Sequence, residues 1–138
     1  MQKKPTILLV EDDHFQRKDV RIALEGGLKA DVRTVSTEFE FLDQFDMIAC
    51  NPPDIAVVDR MLRWANAAPD MPPPPEGLRE DAGLRCVQKL RSDARTNKVK
   101  IVLYSVLGDE ESGAYADYPQ VVKEPDCQSL IDKIKEMT

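Results

Sequence analysis

The chain has one histidine, one tryptophan and three cysteines, and it has no long apolar run. With His14 alone, no site that needs two histidines can form. Cys50, Cys86 and Cys127 are odd in number, lie far apart and include no CxxC pair. That excludes a disulfide framework or a cysteine zinc site and suits free thiols in a reducing compartment. No apolar stretch approaches the roughly 20 residues of a membrane-spanning helix. After Met1-Gln2-Lys3-Lys4-Pro5 only five apolar-leaning residues precede Glu11, too few for a secretory signal. These absences predict a cytoplasmic protein with no membrane partner. Long Lys/Arg clusters are missing too. With 19 basic and 25 acidic residues the net charge is -6, which argues against a nucleic-acid partner.

What is present is one domain's worth of sequence: 138 residues, 42% hydrophobic and 32% charged, without a repeat of fixed period. Thr6 to Val10 is a short apolar run that reads as a buried strand. His14 to Glu25 favours helix, with Phe15, Val20, Ile22, Ala23 and Leu24 apolar and Gly26-Gly27 as its stop. Ala30 to Val35 alternates as a strand. Ser36 or Thr37 can cap one helix carrying Phe41, Leu42, Phe45, Ile48 and Ala49, ended by Asn51-Pro52-Pro53. Asp54 to Val58 and Lys100 to Ser105 are further buried strands. Leu84, Val87 and Leu90 recur at helical spacing after Gly83. Gln120 to Val122 is a brief strand, and Leu130, Ile131, Ile134 and Met137 form a last helical stripe. Strands alternating with amphipathic helices predict an α/β doubly wound parallel sheet with helices on both faces. Its site belongs at the carboxyl ends of the strands.

The residues at those ends are Glu11 and Asp12, Asp59, Ser105 and Lys123. Three carboxylates that close repel one another unless a cation intervenes. A hard divalent ion with oxygen ligands, Mg²⁺ most simply, is the remedy. A carboxylate beside such an ion and a lysine can attack phosphorus.

These residues carry a resemblance. ILLVEDD at 7–13, PDIAVVDRML at 53–62, DAGLRCVQKLRSD at 81–93, IVLYS at 101–105 and VVK at 121–123 are similar, in order and approximate spacing, to the receiver domain of two-component response regulators. The resemblance spans nearly all of 1–138 except roughly 63–80. It implies a flavodoxin-like five-stranded sheet of order 2-1-3-4-5. It implies a phosphoacceptor at Asp59, an Mg²⁺ (or Mn²⁺) site of Glu11, Asp12, Asp59 and the Met61 backbone carbonyl, and phosphoryl contacts and switching through Ser105 and Lys123. The chain would take its phosphoryl group from a sensor histidine kinase or histidine phosphotransfer protein and signal to a downstream protein. It would act as a phosphoacceptor and not as a turnover enzyme. The last helix runs to the end of the chain, so output is expected through a separate protein.

The sequence departs from the family in five places. Gly83 follows Asp59 by 24 positions, an excess of roughly sixteen residues over a short βα connection. This segment holds Trp64 and the run Pro72-Pro73-Pro74-Pro75, which favours polyproline II. It is either a semi-rigid surface loop or a gating and docking strip. Ser105 to Lys123 is 18 positions, roughly one helical turn short, which predicts a short fourth family helix. Gln120 stands where many receivers have an aromatic, and Tyr118 is the nearest substitute. Lys123-Glu124-Pro125 replaces Lys-Pro. Met61 and Leu107 are apolar at the two positions that tune acyl-phosphate hydrolysis, and Val106 follows Ser105. Apolar groups cannot orient a water, so self-dephosphorylation should be slow.

Smaller readings complete the set. Asp13 is expected to cap a helix, His14 to be exposed in its first turn, and the cysteines to be buried and inert. A haloacid dehalogenase-type phosphatase needs a second Asp where Met61 stands. A flavodoxin-like carrier needs a hydroxyl- and glycine-rich loop where Glu11-Asp12-Asp13 stands. The rival that remains is a pseudo-receiver, the same fold used as a phosphorylation-independent binding module.

Overall fold

The computed structural model describes residues 4–59, 82–105, 118–123 and 127–137. In chain order these form β1 (Thr6–Val10), α1 (His14–Leu28), β2 (Asp31–Val35), α2 (Glu38–Asp43), α3 (Phe45–Cys50), β3 (Ile55–Asp59), α4 (Ala82–Ser92), β4 (Lys100–Ser105), β5 (Gln120–Val122) and α5 (Gln128–Met137). The strands make one parallel sheet in the order β2-β1-β3-β4-β5. This is the doubly wound arrangement expected from the alternation of elements.

Side chains alternate across a strand, so each strand serves two cores. Leu8, Val10, Ala56, Val58, Ile101 and Leu103 pack under α2, α3 and α4. Ile7, Leu9, Ile55, Val57, Val102 and Tyr104 pack under α1 and α5, against Val20, Leu24, Leu130, Ile131 and Ile134. β3 is buried at every residue. Burial on both faces is why these strands read as continuous apolar runs; each fully buried Leu, Ile or Val contributes about 1.5–3 kcal/mol.

Several local expectations need correction. α1 does not stop at Gly26-Gly27 but runs to Leu28 and ends on Lys29 in the left-handed region, φ 53°. Gly27 sits against α5: a Cβ there would lie 2.8 Å from Ile131 Cδ1. The glycine permits close helix packing and does not break the helix. The segment after β2 is two short helices meeting at Gln44, not one. Thr37 caps the first, its hydroxyl accepting from the Glu40 amide at 3.1 Å. Phe15, Ile22 and Leu42 are exposed although apolar. Cys50 is exposed as well, whereas Cys86 and Cys127 are buried.

A buried ion pair joins α2 to α4. Arg85 on α4 grips Glu38 on α2 with two bonds of 2.8 and 2.7 Å, and Glu38 is 3% exposed. The insertion itself (63–80), with Met61, Trp64 and Pro72 to Pro75, lies outside the described residues. So do Val106, Leu107, the expected fourth family helix, and Glu124-Pro125.

Candidate metal and phosphoacceptor site

Glu11 directly follows β1, Asp59 ends β3 and Lys123 directly follows β5. All three continue the alternation that faces α1 and α5, so their side chains converge above that core. Glu11 is 1% exposed and Asp59 4%. Lys123 Nζ donates to Glu11 Oε1 at 2.6 Å and to Asp59 Oδ2 at 3.4 Å. Asp12 is half-buried beside them, and carboxylate oxygens of Glu11, Asp12 and Asp59 lie within 4.8 Å of one another.

The electrostatics follow from this crowding. Burial first, then the hydrogen bond and negative charge of Asp59, push Glu11 from its ordinary 4.5 up to about 8; Lys123 pulls the other way and is outweighed. Burial works against the Lys123 ammonium, but the bonds and charges of Glu11 and Asp59 outweigh it and hold its pKa above the ordinary value. The three acids therefore tolerate one another through a lysine and a retained proton. A divalent ion would serve the same purpose. An oxygen-only donor set of carboxylates fits Mg²⁺ or Mn²⁺ and not a soft metal.

β4 carries Ser105 to the same edge: Tyr104 pairs with Asp59, and Ser105 pairs with Val122. Asp13 caps α1, accepting from the Phe15 and Gln16 amides. His14 is exposed in the first turn of that helix. Tyr118 packs on the opposite face of the sheet, with the Arg91 guanidinium 5.8 Å over its ring. The aromatic ring near Lys123 is Tyr104, at 5.6 Å.

No family model matches the chain, and no curated protein matches it by sequence. Solved structures do match. A protein of Chloroflexus aurantiacus J-10-fl assigned as a response regulator is 24% identical, with a TM-score of 0.71 over 98% of each chain. The chemotaxis response regulator CheY4 of Vibrio cholerae is 16% identical, with a TM-score of 0.72 over 99% of this chain and 100% of that one. The phosphorylated cyanobacterial phytochrome response regulator RcpA is 19% identical, with a TM-score of 0.66 over 98% of this chain and 91% of that one. The fold is that of receiver domains.

Within this receiver fold one residue of the site escaped the sequence reading. Gln16 on α1 accepts from Lys123 Nζ through Oε1 at 2.6 Å. A signal for it exists. Gln16 stands four and eight residues before the buried Val20 and Leu24, so it extends their stripe to the site end of the helix. Arg17, next to it, donates to the Glu11 carbonyl at 3.0 Å and fixes the backbone of the acidic pair.

Proposed function

We propose that this chain is a receiver that accepts a phosphoryl group on Asp59 from a phosphohistidine of a sensor histidine kinase or phosphotransfer protein. The observation that carries the reading is the convergence of Glu11, Asp12, Asp59 and Lys123 on one buried point, with carboxylate oxygens within 4.8 Å of one another. RcpA, whose solved structure is of the phosphorylated protein, gives a precedent for the reaction on this fold.

Glu11, Asp12 and Asp59, with the Met61 backbone carbonyl, would hold Mg²⁺ or Mn²⁺. Bound there, the ion neutralises charge on the phosphoryl oxygens and on the carboxylates around them. An Asp59 carboxylate oxygen attacks phosphorus, the P–N bond of the phosphohistidine breaks, and the imidazole leaves with the electron pair and takes up a proton. The product is an acyl phosphate. Lys123 and Ser105 hold its oxygens, and Lys123 exchanges a carboxylate partner for the phosphoryl group. That exchange couples chemistry at Asp59 to β5 and to a partner protein in the cytoplasm. The assembled quartet supports this over the pseudo-receiver reading.

Intact-mass spectrometry after incubation with phosphoramidate or acetyl phosphate tests the proposal. One phosphoryl adduct should form with Mg²⁺, and none without it or in Asp59→Asn. The adduct should decay more slowly than in receivers with polar residues at the positions of Met61 and Leu107. Absence of any adduct, also with phosphohistidine donors, would return the chain to the pseudo-receiver reading.

A further inference from the structure

α1 opens with Asp13-His14-Phe15-Gln16, the spacing of a reciprocal helix cap. Half of that cap is made: Asp13 Oδ1 accepts from the Phe15 and Gln16 amides at 2.9 and 3.0 Å. The other half would turn Gln16 back onto the Asp13 amide. That amide donates instead to Glu11 Oε2 at 3.4 Å. Gln16 is thereby released from local capping, and its Oε1 takes Lys123 Nζ at 2.6 Å, 107 positions away in sequence.

An ammonium has three protons. Here they meet three acceptors, unequally: Glu11 and Gln16 at 2.6 Å each, and Asp59 at 3.4 Å. The Lys123 side chain is 13% exposed, so water is a poor substitute for a lost acceptor. We propose that Gln16 is a positioning residue that draws Lys123 toward Glu11 and so weakens its hold on Asp59, the carboxylate that must take the divalent ion and phosphorus. The inference rests on the phosphoacceptor reading. A neutral amide suits the task, because it satisfies the ammonium without a fourth negative charge. An apolar residue there frees one proton, and the nearest acceptor for it is Asp59.

Three substitutions separate this role from a merely structural one. Gln16→Leu removes the acceptor, Gln16→Asn is one methylene too short to reach, and Gln16→Glu keeps both reach and acceptor. With phosphoramidate as donor, Gln16→Leu and Gln16→Asn should need about tenfold more Mg²⁺ for half-maximal adduct formation, and Gln16→Glu should stay within about threefold of the parent. The second readout needs no phosphorylation. In Mg²⁺-free protein the Lys123 Nζ protons should give an exchange-protected NMR signal at the same position in the parent and in Gln16→Glu, moved in Gln16→Leu and Gln16→Asn as the third proton turns to Asp59. Either readout unchanged in Gln16→Leu overturns the inference. If the parent itself gains no adduct, the phosphoacceptor reading fails, and the NMR signal still decides whether Gln16 holds Lys123.

Discussion

Glu11 is a site residue whose chemistry changes on folding. Its carboxyl is pushed from 4.5 to about 8, by burial first and Asp59 second. Between those values the folded chain keeps a proton that the unfolded chain has released. Without a divalent ion, stability should therefore fall as pH rises across this window and level off above it. Thermal melts against pH should show that slope, and Glu11→Gln should flatten it. A cation entering the site needs the carboxylate, so Mg²⁺ binding near pH 7 should eject up to one proton. Calorimetric titrations in two buffers of different ionisation enthalpy measure it; equal heats in both would contradict the raised Glu11. Cys86 moves in the same direction: burial and then the Glu38 charge push its thiol up, which keeps it inert.

Between elements, two contacts set the helices in place. α1 and α5 approach closely at Gly27 and Ile131, whereas nothing lies within 4 Å of a Cβ at Gly26. Both glycines are helical, so alanine gains about 0.5–1 kcal/mol of backbone preference at either. Gly26→Ala should keep that gain in urea unfolding. Gly27→Ala should keep less, because the Ile131 tip must shift; equal gains would contradict the close packing. The Glu38–Arg85 pair ties α2 to α4. Arg85→Ala leaves the Glu38 charge buried and should cost about 3–5 kcal/mol, and adding Glu38→Gln should recover most of it.

The same contacts show what was legible in the sequence at this scale. Strands were legible because burial on both faces leaves unbroken apolar runs. The extent of α1 was not, because Gly26-Gly27 reads locally as a stop while packing on Ile131 favours a helix through it. Nor was the break at Gln44, where Phe41 and Phe45 both point into the core across the junction of α2 and α3. The Gln16–Lys123 contact was illegible for the same reason: it joins residues 107 positions apart.

Among the described residues, carboxylates gather at one edge of the sheet and lysines at the other. The carboxyl edge gathers Glu11, Asp12 and Asp59. The amino edge holds a cleft of about 1080 Å³ whose lining includes Lys29, Lys98, Lys100 and Lys135. Three of them sit at helix carboxyl ends, where the dipole is negative: Lys29 caps α1, Lys135 lies in the last turn of α5, and Lys100 Nζ donates to the Met137 carbonyl. A cation at the acidic edge therefore stabilises the side of the fold that repels itself. Mg²⁺ at about 100 times its dissociation constant should add about 2.7 kcal/mol. For a chain of this length that is a rise in Tm of roughly 10 °C. Scanning calorimetry should find the rise in the parent and a much smaller one in Asp12→Asn; an equal rise would place the ion elsewhere. Among the described residues no helix is long and apolar enough to cross a membrane.

The sequence by itself determined the five strands in their order along the chain, the sheet order through its resemblance, and the residues at the strand ends. Periodicity and polarity are local, and a functional edge falls where apolar runs stop. Only the tertiary structure decided that Glu11, Asp59 and Lys123 share one face, that Tyr118 lies on the other, and that Gln16 leaves its helix cap for the lysine. Those are distances between segments far apart in the chain. They arise because strand alternation and helix packing bring such segments together, and no window of sequence contains both partners.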